Sequence, residues 1–174
     1  MDQERQQLPA PLAEAHEPGF DYAAGDGIDF EPYDAFLTAD ETADWFRAWT
    51  GNPAVDGGEF RVFGQNGAGG LAAFWLVRAG EPVERQPVVF LGSEGEVAVV
   101  AQDLTAYLWL LADGFGPKEA ERYPRIEHMP RVDPYRAEVA QRWAPGARRP
   151  AAEIITVARA EFPRFEELID SMCG

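Results

Sequence analysis

Two short apolar runs with a polar turn between them stand out in the middle of the chain. Val88–Leu91 and Val97–Ala101 are rich in β-branched residues, and their connection contains two glycines. Such a pair predicts a β-hairpin. Neither run alternates polar with apolar residues, so we expect both faces of the hairpin to be covered and the hairpin to lie in the middle of a sheet.

The pattern changes to that of a helix at residues 104–113, which are apolar almost all the way round. Three leucines recur there at positions i, i+4 and i+7, and Asp103 precedes them as an N-cap. Gly114 suits the left-handed position that ends a helix, and Pro117 is expected to stop any continuation. Residues 86–117 therefore predict a strand–turn–strand–helix unit that forms the core.

A second hairpin is predicted at residues 59–64 and 71–78, joined by the loop QNGAGG. A phosphate-binding P-loop ends in a lysine and leads into a helix, and this loop does neither. We interpret its glycines as a sharp structural reversal. Four strands with short connections predict an antiparallel meander.

An aromatic helix is predicted before the second hairpin. It begins after Thr38 or Asp40 and ends near Thr50, with acidic residues in its first turn, where the helix dipole favours them. Trp45 and Trp49 are spaced i, i+4 and therefore lie on one side of the helix. We interpret this pair as part of the core rather than as a ligand platform.

The chain after Pro117 is predicted to be helical at about residues 134–142, 151–160 and 163–171, with a loop at 118–132. Strands followed by helices predict an α+β fold: a central, mainly antiparallel meander sheet of about four to six strands, packed by helices, with a helical C-terminal part. Residues 1–19 contain three prolines and no apolar period, which predicts a mobile leader. Residues 20–174 are predicted to form a single domain.

The charge of the chain is strongly negative and unevenly distributed. The formal net charge is −15. Residues 1–60 contain 14 Asp and Glu against two Arg, a net −12, and residues 61–174 contain 16 acids against 13 bases, a net −3. A surface of this sign repels DNA and RNA, so direct nucleic-acid binding is not expected. Two interpretations of this negative charge stay open: it serves solubility alone, or it attracts a basic partner.

No catalytic or metal-binding set can be assembled from the sequence. The two histidines, His16 and His128, are far apart, and neither accompanies a nucleophile motif. Zinc needs three or four N or S ligands, which these histidines and the single Cys173 do not offer. The acidic residues around Asp29 lack the spacing of a calcium-binding EF-hand loop. We therefore predict no enzyme activity, no cofactor and no metal.

The expected compartment is reducing. Cys173 has no second cysteine with which to form an internal disulfide, and the first 19 residues lack the basic and apolar regions of a secretory signal. No apolar run approaches the roughly 18–20 residues of a membrane span. A bacterial cytoplasmic protein is the simplest expectation.

Acidic and aromatic residues alternate between Asp21 and Asp44, and this stretch is the predicted partner-binding surface. The aromatic side chains there are candidates for anchors, and the carboxylates would steer a basic partner towards them. The predicted contact residues are Asp26, Asp29, Glu31, Asp34, Asp40 and Glu41.

The chain resembles the SMI1/KNR4 (SUKH) family. The resemblance rests on FRVFGQNGAGGLAAFWL and QPVVFLGSEGEVAVVAQDLTAYLWLLADGFGP, with the aromatic helix DWFRAWTGN ahead of them in the expected order. It covers residues 28–117 well and the helical tail more loosely. The positions that match as fold-bearing ones are Trp49, Gly64, Gly70, Gly92 and Leu108.

The resemblance implies a non-enzymatic α+β binding domain. Many bacterial SUKH members look like immunity proteins of polymorphic toxin systems, which are held in the cytoplasm to bind and neutralise a toxin domain. Eukaryotic relatives serve as regulatory scaffolds. We accordingly expect an immunity protein whose partner is a basic, nuclease-like toxin domain, with an intracellular regulatory or scaffold protein as the alternative.

Overall fold

The computed structural model of the chain describes residues 2–127 and 129–174. His128, one of the two histidines considered above, lies outside the described residues. The helices in the described part are α1 (Asp2–Gln6), α2 (Ala10–His16), α3 (Ala39–Thr50), α4 (Leu104–Ala112), α5 (Pro117–Arg122), α6 (Pro134–Trp143), α7 (Ala151–Glu161) and α8 (Phe165–Met172). The strands are β1 (Glu31–Pro32), β2 (Phe60–Gln65), β3 (Leu71–Trp75), β4 (Val88–Leu91) and β5 (Val97–Ala101).

The five strands form one sheet in the order β1-β2-β3-β4-β5, and every neighbouring pair is antiparallel. This confirms the predicted α+β fold with a central antiparallel meander. The prediction that the β4–β5 hairpin lies in the middle of the sheet is wrong for β5, which is an edge strand. Its residues are nevertheless apolar because helix α7 packs beside it.

Both faces of the sheet are covered, which explains why the strands show little alternation of polar and apolar residues. On one face Phe63, Phe74 and Phe90 pack with the buried helix α4. On the other face the core contains the Phe46 side chain of α3 and the Phe165 side chain of α8. Each of the strands β2 to β5 therefore contributes buried side chains to two separate clusters.

Helix α4 is buried on nearly all sides. Asp103 accepts a hydrogen bond from the backbone N–H of Ala106 at 2.8 Å, as the predicted N-cap should. Every residue of α4 except Thr105 is buried, because α6, β5, α2 and α7 surround the helix. Among the residues that the structure describes, no helix has the length and apolar character needed to span a bilayer.

Helix α5 is missing from the sequence prediction, which treated Pro117 as a stop and the following residues as a loop. Pro117 instead occupies the first turn of α5, where its missing N–H costs no hydrogen bond. The Glu119 carboxylate folds back to accept a hydrogen bond from the backbone N–H of Gly116 at 3.2 Å. Pro117 thus begins a helix, and α4 has already ended at Ala112.

The prediction of a mobile leader does not hold for the residues that the structure describes. Leu8, Leu12 and Ala15 belong to the same buried cluster as α4, and Leu12 is fully buried. Helix α2 packs against α6 and α4. The prolines at 9 and 11 do not prevent the helix, since Pro9 is its N-cap and Pro11 lies in its first turn.

His16 lies at the end of α2 inside this core. It is only 5% exposed, and its Nε2 atom lies 3.4 Å from the hydroxyl oxygen of Tyr107. Its ring contacts those of Phe20, Phe30 and Phe63. Burial first, and the positive charge of Arg136 second, lower the pKa of His16 from 6.5 to about 3.

We predict that His16 stays neutral in the folded protein well below pH 6.5. Its folded-state pKa of about 3 lies below the unfolded value of 6.5, so the unfolded chain binds an extra proton between these values. The free energy of unfolding should therefore fall as the pH decreases through this window, by at most about 1.4 kcal/mol per pH unit from this group.

An NMR titration of the His16 ring measures this directly, and the His16→Asn variant assigns its signal. The same variant should show a shallower pH dependence of unfolding than the unchanged chain, since the carboxylates titrate in both. A His16 ring that titrates near pH 6.5 would mean that residues 1–19 are mobile after all.

Candidate protein-binding surface

The predicted contact residues lie along the β1 edge of the sheet and at the start of α3. The backbone N–H of Tyr33 donates to the Phe63 carbonyl at 2.9 Å, and that of Leu37 donates to the Val62 carbonyl at 3.0 Å. The connection from β1 to α3 is therefore fixed along β2. A Cβ at Gly64 would lie 2.2 Å from the Phe30 ring, so this glycine permits the close approach of the segment before β1.

The Asp29 side chain is engaged in contacts within the protein and is not free at the surface. Its carboxylate accepts hydrogen bonds from the backbone N–H of Gly67 at 2.9 Å and from the Asn66 side chain at 3.4 Å. The Lys118 ammonium lies 3.2 Å from the same carboxylate. Asp29 therefore joins the β2–β3 loop to helix α5 and is not available for a partner.

The glycine-containing loop between β2 and β3 closes on itself. The backbone N–H of Gly70 donates to the Asn66 side-chain oxygen at 2.7 Å, and that of Asn66 donates to the Gly70 carbonyl at 2.9 Å. Gly69 has a φ of +91°, which favours glycine. This geometry is the structural reversal that we predicted for the loop.

Glu31 and Glu41 are exposed but make local hydrogen bonds. The Gln65 side chain donates to the Glu31 carboxylate at 3.2 Å across the β1–β2 pair. The Glu41 carboxylate accepts from the backbone N–H of Thr38 at 2.9 Å, while the Thr38 hydroxyl accepts from the Glu41 backbone N–H. The Thr38 backbone hydrogen bond, and then its side chain, lower the pKa of Glu41.

Tyr33 shows that these two carboxylates converge. Its side chain is half-buried, and burial first, followed by the negative charges of Glu31 and Glu41, raises the pKa of its hydroxyl. The negative charges of Glu31 in β1 and Glu41 in α3 therefore both act on the hydroxyl of Tyr33.

Asp34 and Asp40 extend the same surface. Both are exposed, and among the described residues neither side chain has a hydrogen-bond or ion-pair partner. Asp40 also lines a groove of about 480 Å³ that contains a second acid, Asp56, and two arginines, Arg5 and Arg61. We call the set Glu31, Tyr33, Asp34, Asp40 and Glu41 the acidic edge surface.

Asp26 is exposed as well, but no contact of the described residues joins it to this surface. It lies in the turn that follows Tyr22, which is the most exposed aromatic side chain of the segment at 57%. Of the six predicted residues, four are exposed in the segment from β1 to the first turn of α3, Asp29 belongs to an internal network, and Asp26 lies in an earlier turn.

The tryptophans of α3 pack against the core without being enclosed by it. Phe46 between them is fully buried, whereas Trp45 and Trp49 are half-buried and stack at a ring-centroid distance of 4.9 Å. The Trp49 indole N–H donates to the Gly92 carbonyl at 2.8 Å, which ties α3 to the β4–β5 turn. Trp45 and Trp49 thus pack against the core cluster, as predicted, but each ring stays partly exposed.

Glu119 is a positioning residue that the sequence prediction missed. Besides capping α5, it accepts a hydrogen bond from the backbone N–H of Asp29 at 3.3 Å, and burial raises the pKa of its carboxyl. The sequence Gly-Pro-Lys-Glu at 116–119 has the spacing of a capping box, so the helix start was detectable. The contact between Glu119 and Asp29, 90 residues apart in the chain, could not be detected from the sequence.

The remaining chemistry of the described residues is sparse. Within residues 2–127 and 129–174, no three His, Cys, Asp or Glu side chains form a group suited to a metal ion. Comparison of the chain with protein-family models, with curated proteins and with solved structures gave no match. The function must therefore be argued from the surface itself.

We predict that Asp29→Ala lowers the free energy of unfolding by about 1–3 kcal/mol, because it leaves the Gly67 N–H and the Lys118 ammonium without their acceptor. The matched control Asp34→Ala should change it by about 0.5 kcal/mol or less, since that side chain is exposed. Urea denaturation of both variants measures the difference. If both variants lose the same small amount of unfolding free energy, Asp29 is a free surface acid like Asp34.

Proposed function

We propose that this chain is a non-catalytic protein-binding domain of the immunity type, which binds and neutralises a cognate toxin domain in the cytoplasm. The observation that supports this most is the acidic edge surface, where four exposed carboxylates accompany the half-buried Tyr33 in the segment from β1 to the first turn of α3. Interfaces commonly combine an aromatic anchor with a charged rim that steers the partner.

The free charge of this surface suits a basic partner. Asp34 and Asp40 are exposed, and the exposed carboxylates of Glu31 and Glu41 accept hydrogen bonds from neutral groups. A partner cation therefore meets four carboxylates, which can mimic the phosphates that a nucleic-acid-degrading toxin binds. The resemblance to SUKH immunity proteins supports the same proposal independently of the charge.

The packing of helix α2 determines where the acidic residues that follow Leu12 are held. Because α2 is part of the core, the acidic residues of the leader are held on the body of the protein and do not move freely around it. Glu14 is paired with Arg142 and contributes little net field.

The proposal predicts a salt-dependent association with the toxin domain encoded beside the gene of this chain, used in a catalytically inactivated form. The double variant Asp34→Lys and Asp40→Lys should lower the association rate constant by about tenfold at low salt, because steering charges act mainly on this constant. Surface plasmon resonance at several salt concentrations measures it, and co-expression with the active toxin measures protection of the cell.

The matched control is Glu153→Lys with Asp170→Lys, an equal change of charge at exposed positions on α7 and α8. It should leave the association rate within about twofold of the original. Asp29→Lys is unsuitable as a probe because it would disturb the loop and helix that Asp29 joins. Equal effects of the two double variants would remove the acidic edge surface from the interface.

Failure to bind or to protect against any neighbouring toxin domain would overturn the immunity proposal. Specific binding to a non-toxic protein of the same cell would instead support the regulatory or scaffold alternative.

A further inference from the structure

Residues 2–20 pack on the domain without belonging to its sheet, and we call them the N-terminal strap. They contain α1 and α2, and none of them lies in a strand of the five-stranded sheet. Leu12 and Ala15 are buried in the same cluster as α4, and α2 contacts α6 and α4. A backbone hydrogen bond from the Phe36 N–H to the Gln6 carbonyl, at 2.8 Å, links the strap to the segment before α3. Detachment of the strap would therefore break no strand pairing.

Side chains of α6 hold the second half of the strap. The Arg136 guanidinium donates to the Ala15 carbonyl at 2.9 Å and also to the Gly19 carbonyl. The Tyr135 hydroxyl donates to the Glu14 carbonyl at 2.9 Å. The Glu14 carboxylate is reached by two more side chains of α6, those of Arg142 and Trp143. All of these α6 side chains except Arg136 are exposed, so water competes for the contacts that three of the four make.

His16 is the least well accommodated side chain of the strap. It is buried, yet within the described residues its Nδ1 atom has no hydrogen-bond partner, and a buried polar atom without a partner is unfavourable. The polar groups that face the ring are the Tyr107 hydroxyl of α4 and the Arg136 guanidinium of α6. Asp133 pairs with Arg136 at 2.6 Å, and Glu119 of α5 acts on Tyr107. Within the described residues, no carboxylate pairs with the ring to offset a positive charge on it.

Protonation of His16 therefore opposes the packing of the strap. In the packed strap, burial first and Arg136 second lower the pKa of His16 from 6.5 to about 3. In a detached strap the ring is in water and has its ordinary pKa of 6.5. The detached strap thus binds an extra proton below pH 6.5, and acidification favours detachment. The equilibrium constant for detachment should rise about 25-fold between pH 7 and pH 5.

The turn between the strap and β1 has the properties of a hinge. Ala23 and Ala24 have φ values of +48° and +54°, in the left-handed region that is unfavourable for residues with a Cβ. The next residue, Gly25, also has a positive φ, +100°. The Ile28 N–H donates to the Asp21 carbonyl at 3.0 Å and closes the turn. Opening of the turn breaks this bond but releases the backbone strain at the two alanines.

We propose that the N-terminal strap detaches as a unit, with the turn at residues 21–27 as its hinge, while the sheet and the other helices stay folded. Protonation of His16 drives the detachment, so the strap is an acid-sensitive cover on the apolar surface beneath Leu12. Helix α4 keeps α6, α7 and β5 around it when the strap leaves. Helix α2 has only seven residues and unfolds once detached, because so short a helix is not stable alone in water. The proposal does not depend on the partner of the acidic edge surface.

Native-state hydrogen exchange of the full chain tests the proposal, followed by NMR at pH 7 and pH 5 in low concentrations of urea. The α2 amides, such as that of Ala13, which donates to the Pro9 carbonyl at 3.0 Å, should exchange at least about tenfold more readily than the β4 amides. Their exchange should depend little on urea, because detachment exposes far less surface than global unfolding. After correction for the intrinsic exchange rate, their opening constant should rise about 25-fold from pH 7 to pH 5.

The same data locate the hinge. The Ile28 amide, which closes the turn, should exchange together with the α2 amides. The Tyr33 amide, which donates to the Phe63 carbonyl, should exchange with the sheet. An Ile28 amide as protected as that of Tyr33 would place the hinge outside this turn and contradict the proposal.

Two variants separate the role of His16 from the titration of the carboxylates. His16→Leu combined with Tyr107→Phe replaces the buried polar pair by apolar side chains and should remove the pH dependence of α2 exchange. Tyr107→Phe alone keeps the histidine and is the matched control, which should retain the rise of about 25-fold.

Two further results would overturn the proposal. If the α2 and β4 amides exchange with the same opening constant and the same urea dependence, the strap unfolds only together with the whole domain. If the pH dependence of α2 exchange persists in the double variant, His16 does not drive the detachment.

Discussion

A single five-stranded sheet that must be buried on both faces determines where the helices of this chain lie. The strands place aromatic and branched side chains alternately on either side, so each face exposes apolar surface that must be removed from water. Helix α4 with α2 and α6 covers one face, and α3 with α8 covers the other. The packed leader follows from the same constraint, because Leu12 fills part of the first cluster.

Covering both faces leaves the two edges as the parts of the sheet where backbone and charge are accessible. At the β1 edge the strand is only two residues long, and acidic side chains surround it, which discourages pairing with another sheet. At the β5 edge, helix α7 packs beside the strand but leaves the backbone groups of Val97 and Val99 unpaired. The acidic edge surface therefore lies at the β1 edge, where the strand is short and its side chains are not buried.

The elements that depend on local pattern were predictable from the sequence. The strands Val88–Leu91 and Val97–Ala101 have the bounds that their apolar runs indicate, and α4 begins after Asp103, as its cap predicts. Helices α2 and α5 were missed for one reason, since proline was interpreted as a helix breaker in both segments. In each case proline occupies the helix start, where it is well tolerated.

The parts that depend on distant contacts were not predictable. Nothing near Asp29 in the sequence distinguishes it from Asp34, yet its carboxylate meets Lys118 and its backbone meets Glu119. The sequence likewise does not reveal that β5 is an edge strand. Its residues are apolar because they pack against α7, which lies about 50 residues later in the chain. The convergence of Glu31 and Glu41 near Tyr33 likewise appears only in the folded chain.

Amide hydrogen exchange of the full chain tests most directly the claim of a sheet that is buried on both faces and in which β5 pairs on one side only. The amides of β3 and β4 should exchange only through global unfolding, with the same free energy that denaturant unfolding gives. The Val97 amide, which points away from β4, should exchange far faster than the amide of Phe90, which pairs with Ala98. Rapid exchange throughout β4, or a Val97 amide as protected as that of Phe90, would contradict this account.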